Sequence, residues 1–225
     1  MGPTSSGKSA LAVSLARKFN GEIISADSRQ VYRGLDIGTG KITKREMQGV
    51  PHHLLDVASP KKIFTAHDFV ARGRRAIENI FTRGALPIIA GGTGFYIDTL
   101  VGRITLPDVP PHHALRARLE KKTAEQLYAM LNIRDRRRAI TIDRHNKRRL
   151  IRAIEVAAAR SSITTNTDRG CEYDVLWIGI APERKTLQKN IRLRLQARLE
   201  TRHDRRSETP SRKRIIIQTH ECARS

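Results

Sequence analysis

The sequence predicts an α/β protein built on a parallel sheet, with a helical insertion between the segments of its core. Three observations carry this reading. A glycine-rich stretch opens a helical pattern at the amino end. Short apolar, β-rich runs then alternate with amphipathic helical patterns. Between about residues 107 and 170 the strand signals give way to helices.

The first element is GPTSSGKS, Gly2 to Ser9, which reads G-x-x-x-x-G-K-S. The glycines let the backbone curl so that successive N–H groups point inward. Lys8 supplies a point charge for outer phosphates, and the Ser9 hydroxyl suits a Mg²⁺ ion. The helical pattern behind it, with Leu11, Ala12, Leu15, Ala16 and Phe19 as its apolar stripe, adds a positive dipole end to the anion site. The core is therefore of the P-loop NTPase-like class. Only Met1 stands before Gly2. A P-loop normally hangs from a buried strand, so either the start lies further upstream or the core lacks that strand, and a chain starting at Met1 is expected to be poorly stable and weakly active.

EIISA, Glu22 to Ala26, is the first strand. The polar stretch behind it, with Gly34, Gly38, Gly40 and Gly49, reads as loop. Ala66 to Phe81 has helical spacing, with Phe69, Ile77, Ile80 and Phe81 available for a core. Leu86 to Ala90 is a second buried strand ending in glycines, and Tyr173 to Pro182 reads as a third, with Trp177 in its core. Pro107, Pro110 and Pro111 mark a boundary. Beyond it HALRARLEKKTAEQLYAML and HNKRRLIRAIEVAAAR read as helices. The expected domains are a core from 1–106 and 171–200, an insertion from 107–170, and a tail from 201–225. The tail shows no period outside Ile215 to Ile217 and reads like a shifted frame, so residues after Thr201 are expected not to pack.

The formal net charge is +21, from 43 basic and 22 acidic residues. A basic surface of that size favours polyanions, nucleic acid above all. The clusters RDRRR, Arg134 to Arg138, and RHNKRR, Arg144 to Arg149, place much of it in the insertion. No apolar run is long enough to span a membrane and no signal peptide precedes the loop. Cys171 and Cys222 show no metal-ligand spacing and fit a reducing cytosol. The sets Pro51 to His53 and Pro111 to His113 invite a metal reading, but adjacent histidines point apart and no carboxylate lies at ligand spacing.

In open α/β sheets ligands gather at the carboxyl ends of the strands. The P-loop, Asp27 and Gly91-Gly92-Thr93 meet there. Asp27 suits a general base or a metal ligand, and equally a turn cap.

The blocks GPTSSGKS, EIISADSRQVYRGLDIGTGK, PHHLLDV, IIAGGTGFYI and HNKRRLIRAIEV occur in that order between Gly2 and roughly Leu199. In them the chain resembles the tRNA dimethylallyltransferase family, also called tRNA isopentenyltransferase. The resemblance implies transfer of a dimethylallyl group from dimethylallyl diphosphate to N6 of the adenosine 3′ of the tRNA anticodon. It also implies Mg²⁺, a cytoplasmic setting and a monomer. Carried onto these positions, Gly2, Pro3, Thr4, Ser5, Ser6, Gly7, Lys8 and Ser9 would hold the diphosphate, with Ser9 near the metal and Arg194 contacting phosphate. Asp27, Thr93 and Lys8 would be catalytic. Asp27, Ser28, Arg29, Gln30 and Thr93 would meet the target adenosine, and Arg116, Arg148, Arg149, Leu150, Ile151 and Arg152 the tRNA. The chain departs from the family pattern at TGKIT, where a proline is usual, and at Asn190, where an arginine is expected. A P-loop kinase for a small metabolite and an inactive RNA-binding remnant are the alternative readings.

Overall fold

The computed structural model describes residues 1–159 and 173–198. The expectations for Cys171, Cys222 and the tail 201–225 lie outside the described residues. The chain divides into two compact units, Met1–Ile104 with the chain from Gly170 onward, and Thr105–Arg169.

The first unit contains α1 (Lys8–Lys18), β1 (Gly21–Ser25), α2 (Asp36–Thr39), α3 (Lys44–Met47), β2 (His52–His53), α4 (Ala66–Thr82), β3 (Leu86–Ala90) and α5 (Gly94–Leu100). The second contains α6 (His113–Leu119), α7 (Ala124–Arg134), α8 (Arg136–Thr141) and α9 (Lys147–Ala159); α10 (Arg184–Arg198) belongs to the first.

All strands run parallel, in the order β2-β1-β3. Gly21 to Ser25 lie opposite Leu86 to Ala90, and Ile23 and Ile24 opposite His52 and His53. Successive strand side chains point to opposite faces. Ile23 accordingly joins Ala12, Val13 and Ala16 of α1, while Ile24 joins Phe69, Ile77 and Ile80 of α4 and Leu100 of α5. Each such buried side chain stabilises by roughly 1.5–3 kcal/mol. Gly73 lets α5 sit close, because a Cβ there would stand 2.7 Å from Leu100 Cδ1. Phe69 and Tyr96 stack with centroids 4.2 Å apart.

Several expectations change. Leu11, Phe19 and Phe81 are exposed rather than core, because Ala12, Val13 and Ala16 of α1, and Phe69, Ala76, Ile77 and Ile80 of α4, make the sheet contacts. The stretch with four glycines is not all loop, since it holds α2 and α3, the latter closed by a Thr43–Glu46 capping box. β3 is only partly buried. Tyr173 to Pro182 forms no strand. It meets the amino end instead: Ile180 N–H donates to the Met1 carbonyl at 2.7 Å, and the Met1 amino group donates to the Ile178 carbonyl. Trp177 is 38% exposed, with the Arg103 guanidinium 5.0 Å from its ring, and is not core.

In the second unit the first helical pattern breaks after Leu119, and Thr123 restarts it with a capping box to Gln126. Leu119, Leu127, Leu131, Ala139, Leu150, Ile151 and Ile154 form its core. Leu150 and Ile151, expected among the tRNA contacts, are therefore corrected to core positions. They belong to the apolar stripe of α9 and face its own helical neighbours.

Candidate active site

The P-loop curls as its glycines allow. Gly7, at φ 90°, caps α1, and Ser5 also sits at positive φ, 63°. Only glycine takes the first conformation without strain. Ser6 N–H donates to the Pro3 carbonyl, leaving the loop concave toward the start of α1. A cavity of about 490 Å³ opens there, within the range that holds small ligands. Thr4, Ser5, Gly7, Lys8 and Ser9 line one side. Gly2, Pro3 and Ser6 do not line the cavity. The Ser6 hydroxyl is buried with no hydrogen-bond partner among the described residues.

Two cations meet at this cavity. Lys8 Nζ folds back onto the carbonyls of Gly2 and Pro3, at 2.7 and 2.5 Å. Burial lowers its pKa, the positive charge of Arg194 lowers it further, and Asp27 offsets part of the effect. Helix α10 supplies Arg194, whose Nη2 donates to the Gly40 carbonyl at 3.4 Å. Asn190 lies beside it, 3.5 Å from the Ser5 carbonyl. An anion in the cradle would remove the mutual repulsion of the two cations, so the site is electrostatically prepared for one.

Opposite the cradle stands the turn after β1. Asp27 Oδ1 accepts from the N–H groups of Arg29 and Gln30, at 2.9 and 3.3 Å, and Oδ2 accepts from Gln30 Nε2 at 3.2 Å. The carboxylate is thus a turn cap, as one sequence reading had it, and it also lines the cavity. Thr93 Oγ1 accepts from Ser28 N–H at 3.0 Å, tying the turn to the end of β3. Thr93 itself does not line the cavity; Gly91 and Gly92 do. A Cβ on Gly91 would lie 2.0 Å from the Ala26 carbonyl oxygen, so the two strand ends touch through backbone alone. Thr39, Gly40, Ile42 and His52 also line the cavity; none of them has a role in this site on the sequence reading, although the DIGTGK and PHHLLDV blocks flagged their neighbourhood.

The histidine pairs have local roles. His52 Nδ1 lies 2.8 Å from the Val50 carbonyl, His53 Nε2 lies 2.6 Å from Glu22, and His112 Nδ1 accepts from Leu115 N–H. Among the described residues no group of three His, Cys, Asp or Glu side chains could hold a metal. Ser9 and Asp27 are oxygen donors on the cavity wall, which suits a hard cation that arrives with phosphate oxygens.

In the second unit Arg116 and Arg152 are tied to Glu155, whereas Arg148 and Arg149 are exposed on α9. No helix among the described residues is long and apolar enough to cross a membrane.

Residues 30–202 match the IPP transferase family. A tRNA dimethylallyltransferase of Leuconostoc citreum is 45% identical over 202 residues, covering 88% of this chain and 67% of that protein; one from Pediococcus pentosaceus is 42% identical, covering 89% and 66%. The chain thus spans about two thirds of the length of these curated relatives. The crystal structure of the tRNA isopentenylpyrophosphate transferase of Bacillus halodurans matches with a TM-score of 0.59 and 38% identity, over 88% of this chain and 64% of that one. A eukaryotic dimethylallyltransferase, captured acting on tRNA, matches with a TM-score of 0.75 at 28% identity, over 88% and 51%. With the family match covering most of the sequence and a P-loop α/β core beneath it, the chain belongs to the tRNA dimethylallyltransferase family, the IPP transferases.

Proposed function

We propose that the chain transfers a dimethylallyl group from dimethylallyl diphosphate to N6 of the adenosine 3′-adjacent to the anticodon in tRNA. The observation that carries this reading is the pair of cations, Lys8 and Arg194, at a glycine cradle that faces Asp27 across one cavity. The C1–O bond of the donor breaks and its electron pair leaves with the diphosphate. A C1–N6 bond forms, and the N6 proton passes to the Asp27 carboxylate. An adenine amine is a weak nucleophile, whereas an allylic C1 cation is resonance-stabilised. The protein's main task is then to hold the departing charge and aim the amine. P-loop N–H groups, Lys8 and Arg194 meet that charge. Mg²⁺ would supply further neutralisation of the phosphate oxygens, with Ser9 as its protein donor. Arg29 and Gln30 flank the place for the adenosine, and exposed Arg148 and Arg149 suit phosphate contacts. Drawing a base out of an already single-stranded anticodon loop costs only a few kcal/mol.

The test is diphosphate release from labelled dimethylallyl diphosphate with an anticodon stem-loop as acceptor. Lys8→Ala is expected to lower kcat by about 10²–10³-fold, as loss of one well-aimed donor does. Removal of Mg²⁺ by chelation is expected to lower it as well. Consumption of ATP with a small acceptor and no prenyl transfer would move the chain to the kinase reading, which its relatives do not favour. Salt-sensitive tRNA binding with no turnover would mark an inactive RNA-binding remnant.

A further inference from the structure

Three sequence blocks outside the cradle, DSRQVY, DIGTGK and HHLLDV, converge on one side chain. Lys41 is 9% exposed. Its Nζ donates to the Tyr32 carbonyl at 2.8 Å, to Asp36 Oδ1 at 2.8 Å and to Asp56 Oδ1. That uses all three ammonium protons, one on each block. Asp56 reaches it from a left-handed backbone, φ 56°, two residues after Leu54 at φ 64°. Such conformations persist in bulky residues only where the surroundings over-determine them.

The clip borders the cavity on two sides. Directly before it, Thr39 and Gly40 line the wall, and Gly40 carries the carbonyl that anchors Arg194. On the other side, Asp56 N–H donates to the Gln30 carbonyl, and Gln30 in turn holds Asp27. We propose that Lys41 is a positioning residue for the transfer reaction, fixing the Asp27–Gln30 turn and the Thr39–Gly40 wall against each other. This rests on the function proposed above. Lys41 does not line the cavity, so it acts through these neighbours. Burial opposes its charge, but the hydrogen bonds it donates to Asp36 and Asp56 outweigh burial and hold its pKa above the ordinary value. The ammonium therefore stays protonated wherever the protein works. The two aspartates are about half exposed, so Lys41→Met leaves them solvated and does not strand a buried charge.

The experiment uses the whole chain, with Lys41→Met and the milder Asp56→Asn. Amide hydrogen exchange over residues 30–33, 36–42 and 54–58 is expected to accelerate about tenfold or more in Lys41→Met, and less in Asp56→Asn, while α4 amides stay protected. Prenyl transfer to the stem-loop is expected to lose about 10–100-fold in kcat, the size a small misplacement produces. Inorganic pyrophosphate is expected to bind within about threefold of the unmodified chain, because the cradle is intact. Unchanged exchange in the three segments overturns the proposal. So does unchanged transfer, and so does loosening of α4 together with loss of pyrophosphate binding, which marks a purely structural lysine. An unmodified chain that releases no diphosphate sinks the proposed function instead, and leaves the exchange pattern to decide whether the clip exists.

Discussion

Lys41 and Glu155 are buried charges of opposite sign, one in each unit, and their surroundings mirror each other. Lys41 is a cation between two half-exposed carboxylates. Glu155 is a carboxylate, 1% exposed in its side chain, between the partly exposed guanidiniums of Arg116 and Arg152. Arg116 Nε and Nη2 donate to it at 2.9 and 2.7 Å, and His112 N–H at 2.6 Å. Burial alone would raise the Glu155 pKa. The hydrogen bonds from Arg116, His112 and Arg152 outweigh that and bring it down to about 2. Lys8 is the informative contrast: half-buried, next to another cation, and answered by backbone carbonyls rather than a bonded carboxylate. Lys41 and Glu155 are each bonded to side chains of opposite charge, whereas Lys8, next to another cation, lines the cavity where a ligand would sit.

That comparison can be broken from its strongest side first. Arg116→Ala with Arg152→Ala leaves Glu155 with the His112 N–H but no counter-charge, and is expected to cost about 3–5 kcal/mol by chemical denaturation. Equal stability of the double variant would mean that Glu155 is solvated. Acid gives a graded version. A depressed carboxylate pKa stabilises above the unfolded value and loses that contribution as pH falls. Glu155 should give up on the order of 3 kcal/mol between about pH 4.5 and 2, and Glu155→Gln should flatten that stretch of the stability curve. Lys41→Met should lower stability at neutral pH by no more than about 1–2 kcal/mol, because its two carboxylate partners are about half exposed. The smallest stability effect belongs to Lys8→Ala, which is expected to leave the unfolding midpoint level or slightly raised, since it relieves repulsion with Arg194. Pyrophosphate should raise the midpoint of the unmodified chain and not of this variant. A large loss of stability in Lys8→Ala would place Lys8 among the compensated charges.

Much of this arrangement was written locally, and some was not. The residues of β3 follow from an apolar run between a turn and a glycine pair, and β1 is displaced by one residue. The break between α6 and α7 had a signal, the spacing Thr123-x-x-Gln126 before an apolar pattern. Glu155 had one too, a carboxylate on the stripe that carries Leu150, Ile151 and Ile154. Lys41 had none: a lysine in a polar stretch looks solvated until Asp56 is folded against it. Tyr173 to Pro182 misled for a related reason. A strand is a property of a pair, and β-rich composition does not say whether a partner lies alongside. In the site, the cradle and Asp27 were legible as motifs, whereas the walls around Thr39, Gly40 and His52 depend on contacts between distant blocks.

The close approach of Gly91 to Ala26 fixes one dimension of the cavity in main-chain atoms. Even a methyl group there would drive the strand ends apart, so no side-chain exchange at position 91 can widen or narrow the floor by degrees. Attempts to retune what the cavity admits would have to work on walls that carry replaceable side chains, Ile42 and His52 among them, with that backbone contact held constant.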